Sequence, residues 1–159
     1  MVRLEASSEQ AQERIGERLA RVAPARCLIY LTGDLGAGKT TLTRGLLRGL
    51  GYRGAVKSPT YTLIEPYEIG DQRCYHLDLY RLADPDEIEY LGLRDMLEED
   101  AIMLVEWPEQ GAGALPDPDL MIHIGYLDQG RELTLSAATE QGVRVLKALQ
   151  QELGEGVKS

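Results

Sequence analysis

The sequence predicts a three-layer α/β fold in which central parallel strands are flanked by antiparallel strands and helices cover both faces. Two continuous apolar runs, Cys27-Leu28-Ile29-Tyr30-Leu31 and Ala101 to Val105, lack polar alternation and suit strands buried on both sides. Segments with helical periodicity alternate with them, which is the order that builds a parallel sheet. Two further pairs of apolar and aromatic runs, each joined by a short turn sequence, predict hairpins and hence the antiparallel strands.

In chain order, Ser7 with Gln10 three residues later forms a capping box, and Ala11, Ile15, Leu19 and Val22 then share one helical face. Beyond Pro24 the first buried strand runs into a glycine-rich turn. From Thr40 a second helix turns Leu42, Leu46, Leu47 and Leu50 inward, with Gly51 as its C-cap. Tyr61 to Glu68 and Arg73 to Tyr80 flank Ile69-Gly70-Asp71-Gln72, a connection short enough for a hairpin. Asp84-Pro85-Asp86-Glu87 opens a helix with an N-cap, a proline at the first helical position and acids in the first turn, and this helix runs to about Asp100. The strand Ala101 to Val105 ends at Glu106-Trp107-Pro108, where the proline stops it. Asp117 to Leu127 and Glu132 to Ser136 pair through Asp128-Gln129-Gly130. A last helix points Val143, Leu146, Leu149 and Leu153 inward, and 154–159 is expected to be disordered. No linker or repeat divides the chain, so 1–159 reads as one domain.

A net charge of −9 argues against a chain that binds nucleic acid on its own, because such affinity rests on Lys and Arg neutralising phosphates. Any contact with RNA is expected to pass through a partner. Residues 1–10 contain no apolar signal core, and no stretch approaches the roughly 18 apolar residues that span a bilayer, so a cytoplasmic location is expected. Cys27 and Cys74 each fall in a strand and read as small core residues rather than a ligand or disulfide framework.

The chemistry starts at Gly33-Asp34-Leu35-Gly36-Ala37-Gly38-Lys39-Thr40, which matches the Walker A pattern G-x-x-x-x-G-K-[ST] in full and lies between a strand and a helix. A phosphate cradle needs several backbone N–H groups converging on oxygen, and Gly33, Gly36 and Gly38 supply the backbone freedom for it. The helix start near Thr40 adds its positive dipole end, Lys39 is expected to reach the β- and γ-phosphates, and the Thr40 hydroxyl to ligate Mg²⁺. The expected nucleotide-binding stretch is Gly33 to Thr41, on a P-loop NTPase-like fold. The sequence contains no N-K-x-D tetrapeptide, which favours ATP over a guanine nucleotide.

Magnesium also needs a carboxylate at the end of a neighbouring strand. Glu106 ends one apolar strand, and Asp78 alternates with apolar neighbours in His76-Leu77-Asp78-Leu79-Tyr80-Arg81, so both are candidate catalytic acids. His76 reads as a hydrogen-bonded structural histidine. Arg81 has two possible roles, on a phosphate or on Asp84 or Asp86. Ser58-Pro59-Thr60-Tyr61-Thr62 lies where nucleotide switches carry a mobile threonine, although Pro59 equally suits a plain turn. Trp107, the single tryptophan, is a packing residue beside Glu106 and a natural fluorescence reporter.

Gly33 to Thr41, Ser58-Pro59-Thr60-Tyr61-Thr62, His76-x-Asp78-x-Tyr80-Arg81 and Leu104-Val105-Glu106-Trp107-Pro108 together resemble the bacterial TsaE (YjeE) family, from the first helix through Leu115-Pro116-Asp117-Pro118-Asp119. The resemblance implies a Mg²⁺-dependent ATPase that works with the TsaB–TsaD pair on threonylcarbamoyladenosine in tRNAs reading codons that begin with A. It implies Thr40 and Glu106 as Mg²⁺ ligands and Asp78 as the catalytic or water-positioning acid. One departure is Gln12, where many relatives carry a threonine near the adenosine, so the adenosine contacts there and around Arg131 are left open. Two other functions use the same loop: a small-molecule kinase, to which the acidic segment Asp84 to Asp100 with only Arg94 offers no arginine-rich lid, and a nucleotide-dependent binding module without hydrolysis.

Overall fold

The computed structural model describes residues 1–156 apart from Leu35, Ala83, Pro85 and Leu91. Among the described residues seven strands form one sheet in the order β1-β7-β6-β2-β5-β4-β3. They are β1 (Val2–Ala6), β2 (Cys27–Thr32), β3 (Ile64–Ile69), β4 (Gln72–Asp78), β5 (Ala101–Glu106), β6 (Leu120–Tyr126) and β7 (Arg131–Ala137). β2 lies parallel between β6 and β5, and β4 continues parallel beside β5. The two hairpins add β3 and β7 antiparallel, and β1 closes the far edge against β7. The fold class is therefore the mixed α/β architecture that the two apolar runs and the two hairpins predict.

Strand alternation sorts the core into two layers. Cys27, Ile29 and Leu31 of β2, with Ile102 and Leu104 of β5, face three helices: α1 (Glu9–Val22), α2 (Lys39–Leu50) and α5 (Glu140–Gly156). Leu28, Tyr30, Met103 and Val105 face the opposite side, where Leu93 of the short α4 (Leu93–Glu98) joins them. Cys27 and Cys74 are both buried on the α2 side, and burial pushes each thiol up to about 12, as expected for inert core residues.

Four local readings change. The first helix is capped by Ser8, whose side chain accepts the Ala11 N–H at 3.1 Å, one residue later than the Ser7 box. β1 was not legible, because five residues with a single alternation of burial give too short a pattern to stand out. The helix expected from Asp84 to Asp100 divides into α3 (Glu87–Tyr90) and α4, with Gly92 in the left-handed region (φ 79°) between them; Pro85 lies outside the described residues. In α5 it is Val145, Leu146 and Leu149 that are buried, while Val143 is 44% exposed. That helix continues to Gly156, into the segment expected to be disordered, and residues 157–159 lie outside the described residues.

Candidate functional site

Parallel strands bring their C-terminal ends to one edge of the sheet, and this is where the chemistry-bearing residues meet. β4 and β5 pair in a register that sets Asp78 directly beside Glu106. Glu106 shares its strand face with Ile102 and Leu104, and Asp78 shares its face with Cys74, so both carboxylates point to the side covered by α2. The chain leaves β2 at Thr32, turns through the glycine-rich loop and starts α2 over these two acids.

The loop has the backbone its glycines predict. Gly33, Gly36 and Gly38 have φ of 144°, 83° and 107°, values that side-chain-bearing residues rarely adopt. Gly38 is the N-cap of α2 and no side chain among the described residues caps this helix, so its first-turn N–H groups lack intrahelical partners and face outward with the positive end of the dipole. Ala37 is fully buried and its N–H donates to the Asp34 carbonyl at 3.0 Å, which closes the turn. Leu35 lies outside the described residues.

Lys39 is buried, with 6% of its side chain exposed, and its ammonium has three neighbours: it donates to the Gly33 carbonyl at 2.9 Å, lies 3.6 Å from Glu106 Oε1 and sits 4.7 Å from the centroid of the Trp107 ring. Trp107 is one of two described non-glycine residues at positive φ (56°), and this turn folds its ring back over the lysine. Tyr80 packs against the same ring at 4.9 Å. The other Glu106 oxygen, Oε2, is 2.5 Å from Nε2 of His76, which is fully buried.

Asp78 is 4% exposed, and its Oδ1 accepts the Tyr80 N–H at 3.0 Å. Burial holds its carboxyl above the ordinary range; the adjacent Glu106 adds to this, while the Tyr80 N–H, Lys39 and His76 oppose it.

These groups open onto a cleft of about 500 Å³ whose wall includes Gly36 to Thr41, Ser58, Thr60, Asp78 and Glu106. It contains both candidate acids and most of the predicted loop; Gly33 contributes its carbonyl to Lys39 from behind, and Asp34 is exposed at the turn. Ser58 and Thr60 of the candidate switch segment also reach the wall, joined to each other at 2.7 Å. Arg81 stacks over the Tyr61 ring at 4.6 Å, a partner that the sequence did not suggest.

The sequence named Gln12 and Arg131 on the opposite wall only as open questions and did not point to the rest of it. Ala6, Ser7, Ser8, Glu9, Gly130 and Arg131 arrive there because β1 pairs with β7, a contact with no local signature. Gln12 is buried and its Nε2 donates to the Gly38 carbonyl at 2.7 Å, while Arg131 donates to the Ala37 carbonyl at 3.2 Å and lies over the Tyr126 ring. Both hold the loop from its outer side. Chemically, the arrangement offers an uncapped helix N-terminus and a buried ammonium for an anion, with Thr40, Asp78 and Glu106 as oxygen donors for a hard cation.

The profile of the family described as "Threonylcarbamoyl adenosine biosynthesis protein TsaE" matches residues 6–133. The tRNA threonylcarbamoyladenosine biosynthesis protein TsaE of Haemophilus influenzae is 49% identical over 140 residues, covering 85% of this chain and 89% of that protein. The protein of the same name from Bacillus subtilis is 41% identical over 124 residues, 77% of each chain. Among solved structures, Bacillus subtilis YdiB superposes with a TM-score of 0.82 at 30% identity, over 94% of both chains. The chain thus belongs to the TsaE family, whose proteins take part in tRNA threonylcarbamoyladenosine biosynthesis.

Proposed function

We propose that the chain binds ATP with Mg²⁺ in this cleft and hydrolyses it, in the cytoplasm, as the energy-coupled step of threonylcarbamoyladenosine formation carried out with TsaB and TsaD. The observation that carries the reading is the convergence of Lys39, Thr40, Asp78 and Glu106 on one wall beside an uncapped helix N-terminus. The loop from Gly33 to Thr41 would wrap the phosphates with backbone N–H groups, and Lys39 would move its donors from the Gly33 carbonyl toward the β- and γ-oxygens.

Thr40 and Glu106 are the groups that would hold Mg²⁺. Bound there, Mg²⁺ supplies charge neutralisation on the phosphate oxygens. Asp78 would orient the attacking water beside Glu106. Arg131, the arginine on the described cleft wall, is engaged with Ala37 and Tyr126, so slow turnover alone is expected, with charge stabilisation contributed by a partner. The net charge of −9 fits contact with tRNA through the TsaB–TsaD pair rather than directly.

The test is the steady-state ATP hydrolysis rate with Mg²⁺, alone and with the matching TsaB–TsaD pair. Stimulation by the pair that disappears in Lys39→Ala is the expected result. ATP binding without hydrolysis or stimulation would replace this reading with a nucleotide-dependent binding module or a kinase.

A further inference from the structure

His76 is fully buried, yet it lies in direct contact with the site rather than in the apolar core alone. Its Nε2 is 2.5 Å from Glu106 Oε2, while its Nδ1 is buried with no hydrogen-bond partner among the described residues. An N–H donor buried without an acceptor costs more than an unpaired ring lone pair, so the geometry puts the proton on Nε2, donating to Glu106. This leaves the two Glu106 oxygens unequal. Oε2 is taken by the imidazole, and Oε1 is turned to Lys39 and the cleft.

We infer that His76 is a positioning residue that fixes the Glu106 carboxylate and presents Oε1 alone to the bound cation. The inference rests on the Mg²⁺ site proposed above. A glutamate carries three rotatable bonds to its carboxylate, and a buried donor on one oxygen removes the freedom to swing away or to chelate with both oxygens. The backbone supports the same arrangement: His76 and Glu106 sit on adjacent parallel strands, on the same face, with His76 one pleat below the Asp78–Glu106 pair.

The test separates a donor at the Nε2 position from mere filling of space. Gln places an amide N–H close to where His carries Nε2, whereas Asn places one near Nδ1. The full chain, saturated with a non-hydrolysable ATP analogue, is titrated with MgCl₂ and followed by the fluorescence of Trp107, the single tryptophan. Loss of a second-sphere donor of this kind typically weakens metal affinity 10–100-fold. The expected result is therefore a Mg²⁺ midpoint raised roughly 10-fold or more in His76→Asn and His76→Leu, with His76→Gln close to the parent and analogue affinity without Mg²⁺ unchanged in all three.

Equal midpoints for Gln and Asn, shifted or not, would overturn the positioning role, and this comparison stands even if His76→Leu does not fold. Glu106→Gln serves as the reference. If it shifts the midpoint while the His76 series does not, the inference fails and the Mg²⁺ site survives; if Glu106→Gln itself leaves the midpoint unchanged, the Mg²⁺ assignment to Glu106 fails.

Discussion

Asp78 shows how a functional group is held against its own preference. Burial raises its carboxyl above the ordinary value, so the native chain takes up this proton at a higher pH than the unfolded chain does. In the interval between the unfolded value near 3.8 and the raised native value the unfolded state binds fewer protons, and stability falls as pH rises through it. The ionised carboxylate therefore costs stability at neutral pH. Asp78→Asn keeps the acceptor for the Tyr80 N–H and removes the charge. Its melting temperature is expected to exceed the parent's at pH 7, the difference shrinking as pH approaches 3.8 and below, while ATP turnover drops on the order of a hundredfold. Thermal melts across this pH range, with a turnover assay, check both halves. A lower melting temperature at pH 7 would reject the account. Residue identity made Asp78 a candidate; the adjacent register with Glu106 was not readable from either residue.

At the level of elements, α1 and α2 approach each other so closely that glycines are needed at the crossing. A Cβ built on Gly45 would fall well inside contact distance of the Glu13 carbonyl on α1, and one on Gly16 would do the same to the Leu42 carbonyl on α2. Both obstacles are helix backbone, which cannot turn aside as a side chain can. Ala is favoured over Gly by about 0.8–1.0 kcal/mol inside a helix, yet overpacking typically costs about 1–3 kcal/mol, so Gly45→Ala is expected to destabilise. Gly154→Ala, a position in α5 where a Cβ would meet no described atom beyond its chain neighbours and its own helix backbone within 4 Å, is expected to be neutral or stabilising. Urea unfolding should show a lowered stability for Gly45→Ala and an unchanged or raised one for Gly154→Ala. The α1–α2 crossing also holds Gln12 against the loop, where a Cβ on Gly38 would collide with the Gln12 amide. Gly45→Ala should accordingly weaken nucleotide binding although it lies outside the cleft wall. The helix faces were legible from 3.6-residue periodicity; the need for Gly16 and Gly45 at the crossing depends on the partner helix.

For the whole molecule, the cleft is assembled from the two ends of the sheet order. β1 is the edge strand on one side and β4 lies near the other, and the glycine-rich loop sits between walls contributed by both. Ligand binding should therefore tie distant parts together. At a hundredfold excess over Kd, Mg·ATP is expected to add about 2.7 kcal/mol, and with about 2–4 °C per kcal/mol at this chain length the melting temperature should rise by roughly 5–10 °C. Lys39→Ala should abolish the rise. A melt with ADP and Mg²⁺, ATP and Mg²⁺, and ATP with EDTA checks it, and an unchanged midpoint in saturating Mg·ATP would count against the site.

The sequence by itself determined the α/β class, the two buried parallel strands, both hairpins and the glycine-rich loop, because each is written in adjacent residues: an unbroken apolar run, a short turn sequence, glycines spaced around a lysine. It also put Glu106 in view as an acid at a strand end and Asp78 as one alternating with apolar neighbours. Only the tertiary structure decided which of their neighbours act on them. The His76–Glu106 contact, the Trp107 ring over Lys39, the Gln12 support of Gly38 and the wall brought by β1 all depend on strand register and helix crossing. Those are set by the balance of packing over the entire core, which no local stretch of sequence encodes.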